Sequence, residues 1–160
     1  MKKIVIGCGV VALLAAVVIG SCSYFVYSSI SNMPEWAKRD AAYSRYAPVV
    51  QQVEAGIAQA DSMLQAASIL EKSSFQPELV LVTLKNESGG DDKSKIDAFR
   101  RGGNNWTVST YLVFNGAGYG TLKNEHGESV PVIILEGEQN LRKDGSLKYT
   151  MYLQHSETEK

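Results

Sequence analysis

The chain has 160 residues, with 16 basic and 17 acidic side chains and a net charge of −1. That balance excludes a nucleic-acid binder, which needs a basic face to displace counterions from phosphates. Its two cysteines, Cys8 and Cys22, both lie in one apolar N-terminal run, so the rest of the chain has neither a disulfide nor a thiolate metal site.

That run spans Ile4 to Ile30, carries no charge and follows Lys2 and Lys3. A bilayer core takes about 20 apolar residues as a helix. The sequence therefore predicts a membrane anchor over 1–31, with the paired lysines cytoplasmic. Residues 32–160 would then be a single domain outside the cytoplasm, in a single-pass protein of the bacterial inner membrane. A second reading is open. Lys2-Lys3 and the apolar Ile4 to Ile19 fit a signal segment over 1–21. Ile19-Gly20-Ser21-Cys22 resembles a bacterial lipobox, and that resemblance implies a lipid on Cys22. Cys8, Ala12, Ala16 and Gly20 recur every four residues. Small residues at that spacing let membrane helices pack closely, with Ala12, Ala16 and Gly20 as the candidate contacts, although such residues are common in apolar helices anyway.

Asn32 is a candidate helix cap with Pro34 in the first turn. A short helix through Trp36, Tyr43 and Tyr46 is expected, with Pro48 as a kink or as the start of the next helix. These aromatics suit either a membrane interface or the domain's own packing. From Val49 to Lys72, apolar residues fall three and four apart, through Val53, Ile57, Ala60, Leu64, Ala67 and Leu70. This predicts one long amphipathic helix, with Leu64 facing the core.

Ser73 to Pro77 breaks the helix. Glu78 to Lys85 reads as a strand apolar on both faces, hence central. Lys93 to Arg101 is ambiguous. Trp106 to Phe114 alternates and is the clearest strand, with Leu112 expected in the core. Asn115 to Gly120 reads as a flexible turn and Thr121 to Lys123 as a short strand. Ser129 to Glu136 is a strand, with Gly137 a candidate bulge. Asp144-Gly145 suits a two-residue hairpin turn between Asn140–Lys143 and a final strand through Leu153. The fold class expected is α+β: an N-terminal transmembrane helix, then one long amphipathic helix on a four- to five-stranded antiparallel sheet with a single core.

Little chemistry stands out. Gly116, Gly118 and Gly120 lack the following helix that a phosphate loop needs. Asp91-Asp92 near Glu87 lacks the glycine and distal glutamate of a calcium loop. His126 and His155 have no second histidine at ligand spacing. No catalytic, cofactor-binding or metal site is expected, and no cofactor. Trp106 and its strand, His126-Gly127-Glu128, Val130-Pro131-Val132 and Gly137-Glu138 look like the end of the cytochrome oxidase assembly proteins. That resemblance covers about a fifth of the chain and implies a respiratory-complex assembly factor. The leading expectation is a membrane-tethered, non-catalytic accessory module of the bacterial cell envelope that binds a protein partner. An immunity-type inhibitor of an exported toxin and a hydrolase using His126 are the alternatives.

Overall fold

The computed structural model describes residues 31–86 and 95–156, together with residues 18, 21, 23, 24, 27 and 28. The chain divides into two compact units, Met1–Pro34 and Glu35–Lys160. In the first, the described residues from Val18 to Ser31 are helical, and four of the seven are serines. Among the described residues no helix is long and apolar enough to cross a membrane. That finding overturns the expected transmembrane, single-pass placement in the inner membrane: the described helical residues of this run, four of the seven being serines, are too few and too polar to span a bilayer core. Most of 4–30, including Ala12, Ala16, Gly20 and Cys22, lies outside the described residues.

The second unit begins with a 3-10 turn, Glu35–Ala37. Three helices follow: α1 (Arg39–Arg45), α2 (Ala47–Ala58) and α3 (Met63–Lys72). Asn32 caps none of these, because α1 starts after Lys38. Pro48 sits in the first turn of α2, where its missing N–H is not needed. The aromatics pack on the domain itself. Trp36 stacks on His155 with ring centroids 3.9 Å apart, and the Tyr46 hydroxyl donates to the Gln154 carbonyl at 3.0 Å.

The expected long helix is two helices, broken at Gln59–Ser62. Ser62 Oγ accepts from the Gln65 N–H at 3.3 Å, while Gln65 Oε1 accepts from the Asp61 N–H at 2.7 Å. This reciprocal cap restarts the helix. The restart changes its phase, so Ala66, Ala67 and Leu70 are buried and Leu64 is 73% exposed. The expectation that Leu64 is a core residue is thereby corrected.

Six strands follow rather than four or five: β1 (Leu79–Asn86), β2 (Lys95–Arg100), β3 (Trp106–Phe114), β4 (Ala117–Asn124), β5 (Ser129–Asn140) and β6 (Ser146–Gln154). They form one antiparallel sheet in the order β2-β1-β6-β5-β4-β3. The last strand is therefore central, pairing with both β1 and β5. The connection into it has five residues, not two. Leu141 is buried, and the Arg142 N–H donates to the Ala60 carbonyl at 2.8 Å, which pins this loop to the break between α2 and α3.

The single expected core is two clusters, one on each face of the sheet. On the helix face, Val53, Ile57 and Leu70 meet Leu84, Ile133, Leu135, Met151 and Leu153. On the other face, Trp106, Leu122, Val132, Ile134 and Tyr152 form a smaller cluster. Leu112 is half-buried and belongs to neither, because β3 is an edge strand. Gly137 makes no bulge. A Cβ there would lie 2.2 Å from the Tyr149 hydroxyl, so the glycine leaves room for that ring.

Tyr149 crosses the helix-face core, and its hydroxyl donates to Glu54 Oε1 at 2.5 Å. Burial first, and then the Glu54 carboxylate, push its pKa well above the ordinary value of 10.0. The native state thus holds this proton more tightly than the unfolded chain. Its contribution to stability is complete below the ordinary value and is lost progressively as the pH rises above about 10. Tyr149→Phe is expected to cost about 1–3 kcal/mol at neutral pH. It should also flatten the alkaline loss of stability, as read by urea unfolding at neutral and alkaline pH.

Candidate functional site

The three helices cover one sheet face, and among the described residues of this unit no helix packs on the other. Strand register sorts that open face into rows. Lys95 of β2, Lys85 of β1, Lys148 of β6 and Glu138 of β5 lie directly opposite one another in turn. The next row is Asp97, Thr83, Thr150 and Glu136, and the one after is Arg100, Leu81, Tyr152 and Ile134. The face thus grades from a row of three ammonium groups and Glu138, through hydroxyls and carboxylates, to a row that is apolar apart from Arg100 on the outer strand.

The sheet curls at that apolar end. A Cβ on Gly118 would lie 1.9 Å from the Leu112 carbonyl oxygen, and one on Gly120 would lie 2.5 Å from that of Thr110. These glycines let the backbone of β3 close onto β4. They are strand residues, and the expected flexible turn shrinks to Asn115 and Gly116, both with positive φ. The curl brings Tyr111 over the open face. A groove of about 460 Å³ results, lined by Lys85, Lys95 and Lys148 with Thr83, Tyr111 and Glu136. Burial, with Glu136 and then Tyr111 nearby, raises the pKa of Tyr152 at its base.

The two edges of the sheet differ. Strand β2 carries Lys95, Asp97 and Arg100, whereas β3 runs nine residues with no charge and no proline. Tyr111 and Phe114 on β3 are 70% and 51% exposed. The register of β3 shifts between Val108 and Thr110, a bulge that divides its free edge.

A second cleft, of about 520 Å³, lies where α1 meets α2 and β6 ends. Its guanidinium groups are engaged. Arg45 lies over the Tyr46 ring and Arg101 donates to Gln154 Oε1.

The other sequence-stressed residues stand apart. His126 lies in the β4–β5 turn with its side chain 69% exposed, 3.9 Å from the Glu125 carboxylate. Among the described residues no three His, Cys, Asp or Glu side chains gather to hold a metal ion. Asp91, Asp92 and Glu87 lie outside the described residues, as do the lipobox Cys22 and the candidate packing residues Ala12, Ala16 and Gly20. Sequence reasoning missed Lys85, Lys95 and Lys148, because only the strand register brings them together. Comparison with protein-family models, with curated proteins and with solved structures returns no match.

Proposed function

We propose that this chain is a non-catalytic binding module of the cell envelope, held at a membrane by a lipid on Cys22, that takes an extended segment of a protein partner onto β3. The observation that carries this reading is the contrast between the sheet edges. An open edge strand is a template for another chain, and proteins ordinarily blunt it with charge, proline or a bulge. Strand β2 has the charges. Strand β3 has only the bulge, and beyond it Tyr111 to Phe114 offers backbone and two exposed rings. A partner strand added there gains main-chain hydrogen bonds for affinity and aromatic contacts for selectivity. The bulge bends and twists β3, which suits a short segment better than the long flat register that two copies of the strand would need. The lipobox-like Ile19-Gly20-Ser21-Cys22 supports the lipid attachment.

A photo-crosslinking residue in place of Phe114 tests the edge in cells. The expected product is a heterologous crosslink that disappears in a Tyr111→Lys background with the melting temperature unchanged. A product of twice the chain's own mass would instead make β3 a self-association edge. Unchanged crosslinking in the Tyr111→Lys background would remove the edge-strand reading. The attachment is tested separately by fatty-acid labelling, which Cys22→Ala should abolish.

A further inference from the structure

The lysine row on the open face runs against what stability alone favours. Like charges directly opposite one another on adjacent strands repel. Yet Lys85 faces Lys95 on one side and Lys148 on the other, and of the three only Lys148 has a carboxylate, Glu138, directly opposite it on its far side. Neighbouring strands lie about 4.8 Å apart, so three ammonium stems rise from the sheet at that interval. Among the described residues Lys85 and Lys95 form no ion pair, whereas Lys38, Arg100 and Lys143 pair with Glu35, Asp97 and Asp61. The row lines a groove within the volume range of small-molecule sites. Thr83 and Thr150, one row further in, bring hydroxyl groups, while Asp97 and Glu136 repel negative charge and confine it to the lysine end. Lysines act as point charges and do not form the planar fork of arginine, which suits a ligand with several oxygens at varied angles.

We propose that Lys95, Lys85 and Lys148 form a binding site for a compact polyanion, a ligand with two or more negatively charged oxygens close enough to span neighbouring strands. Carboxylates and phosphates share that chemistry. The site's charged groups come from β1, β2 and β6, while Tyr111 of β3 borders the same groove.

The test titrates the full chain with citrate and with pyrophosphate, against sodium chloride at matched ionic strength, following melting temperature and calorimetric heat. Saturable binding with a rise in melting temperature is expected for at least one of the two. The one that binds more tightly identifies the head group. Lys85→Thr and Lys95→Thr should each weaken binding by roughly tenfold. Neither should lower the melting temperature without ligand, because each relieves like-charge repulsion, and Lys85→Arg should keep most of the binding. The site is overturned if neither anion does more than chloride, or if the double threonine variant binds as the parent does. A double threonine variant that loses the anion yet keeps the Phe114 crosslink would show the two sites to be separate.

Discussion

Gly118→Ala is expected to lower the melting temperature by roughly 10 °C or more. The added Cβ would lie 1.9 Å from the Leu112 carbonyl oxygen and 2.7 Å from the Val113 Cα. Both are backbone atoms, so no side-chain rotation relieves the clash, and β3 must lift away from β4. Overpacking a tight site costs up to about 3 kcal/mol, occasionally more, and a clash with backbone belongs at the top of that range. Trp106 and Leu122, whose cluster the β3–β4 curl closes, would open to water at the same time. A thermal melt followed by tryptophan fluorescence reads both effects. Gly127→Ala is the control, because no atom lies within 4 Å of its added Cβ and only its positive φ is strained. That strain costs about 1–2 kcal/mol, so a Gly118→Ala loss no larger than this would refute the close approach of β3.

The second large effect separates two leucines on one helix. Leu70 is fully buried between α3 and the sheet, while Leu64 is 73% exposed. Leu70→Ala should cost about 2–5 kcal/mol, and Leu64→Ala less than about 0.5 kcal/mol. Chemical denaturation of the two variants measures the difference directly. A Leu64→Ala loss as large as that of Leu70→Ala would restore a continuous helix in the phase that the sequence alone suggests.

That pair shows where the sequence was readable. Strands with strong alternation or a fully apolar run, such as Leu79–Asn86 and Ser146–Gln154, were legible because side-chain period reports directly on burial. The helix break was legible in principle, since Ser62 and Gln65 have the spacing of a reciprocal cap. It was masked by an apolar spacing that runs unbroken through Ala60 and Leu64. Gly118 and Gly120 were misread because a glycine required by a neighbouring strand resembles a glycine required by a turn until the neighbour is known. The lysine row has no local signature at all. Lys85, Lys95 and Lys148 become neighbours through two strand pairings, one of which spans more than sixty residues of chain. The unguarded edge is intermediate. The lack of charge in Trp106–Phe114 is visible in the sequence, but its significance depends on that strand being outermost.

The central place of β6 also governs how the domain comes into being during synthesis. Helices α1 to α3 leave the ribosome first, and the hairpin of β1 and β2 next, before the sheet face that should bury them is complete. The β3–β4–β5 meander follows as a second fragment, and no strand pairing joins the two halves of the sheet until β6 inserts between them; only the helices, which also pack on β5, bridge the gap. A chain stalled before Ser146 is therefore not a slightly shorter version of the domain but a sheet split in two under its helices, with β1 and β5 each presenting an unsatisfied edge where β6 belongs. Such a nascent chain keeps its strand edges open to chaperones until its last strand arrives.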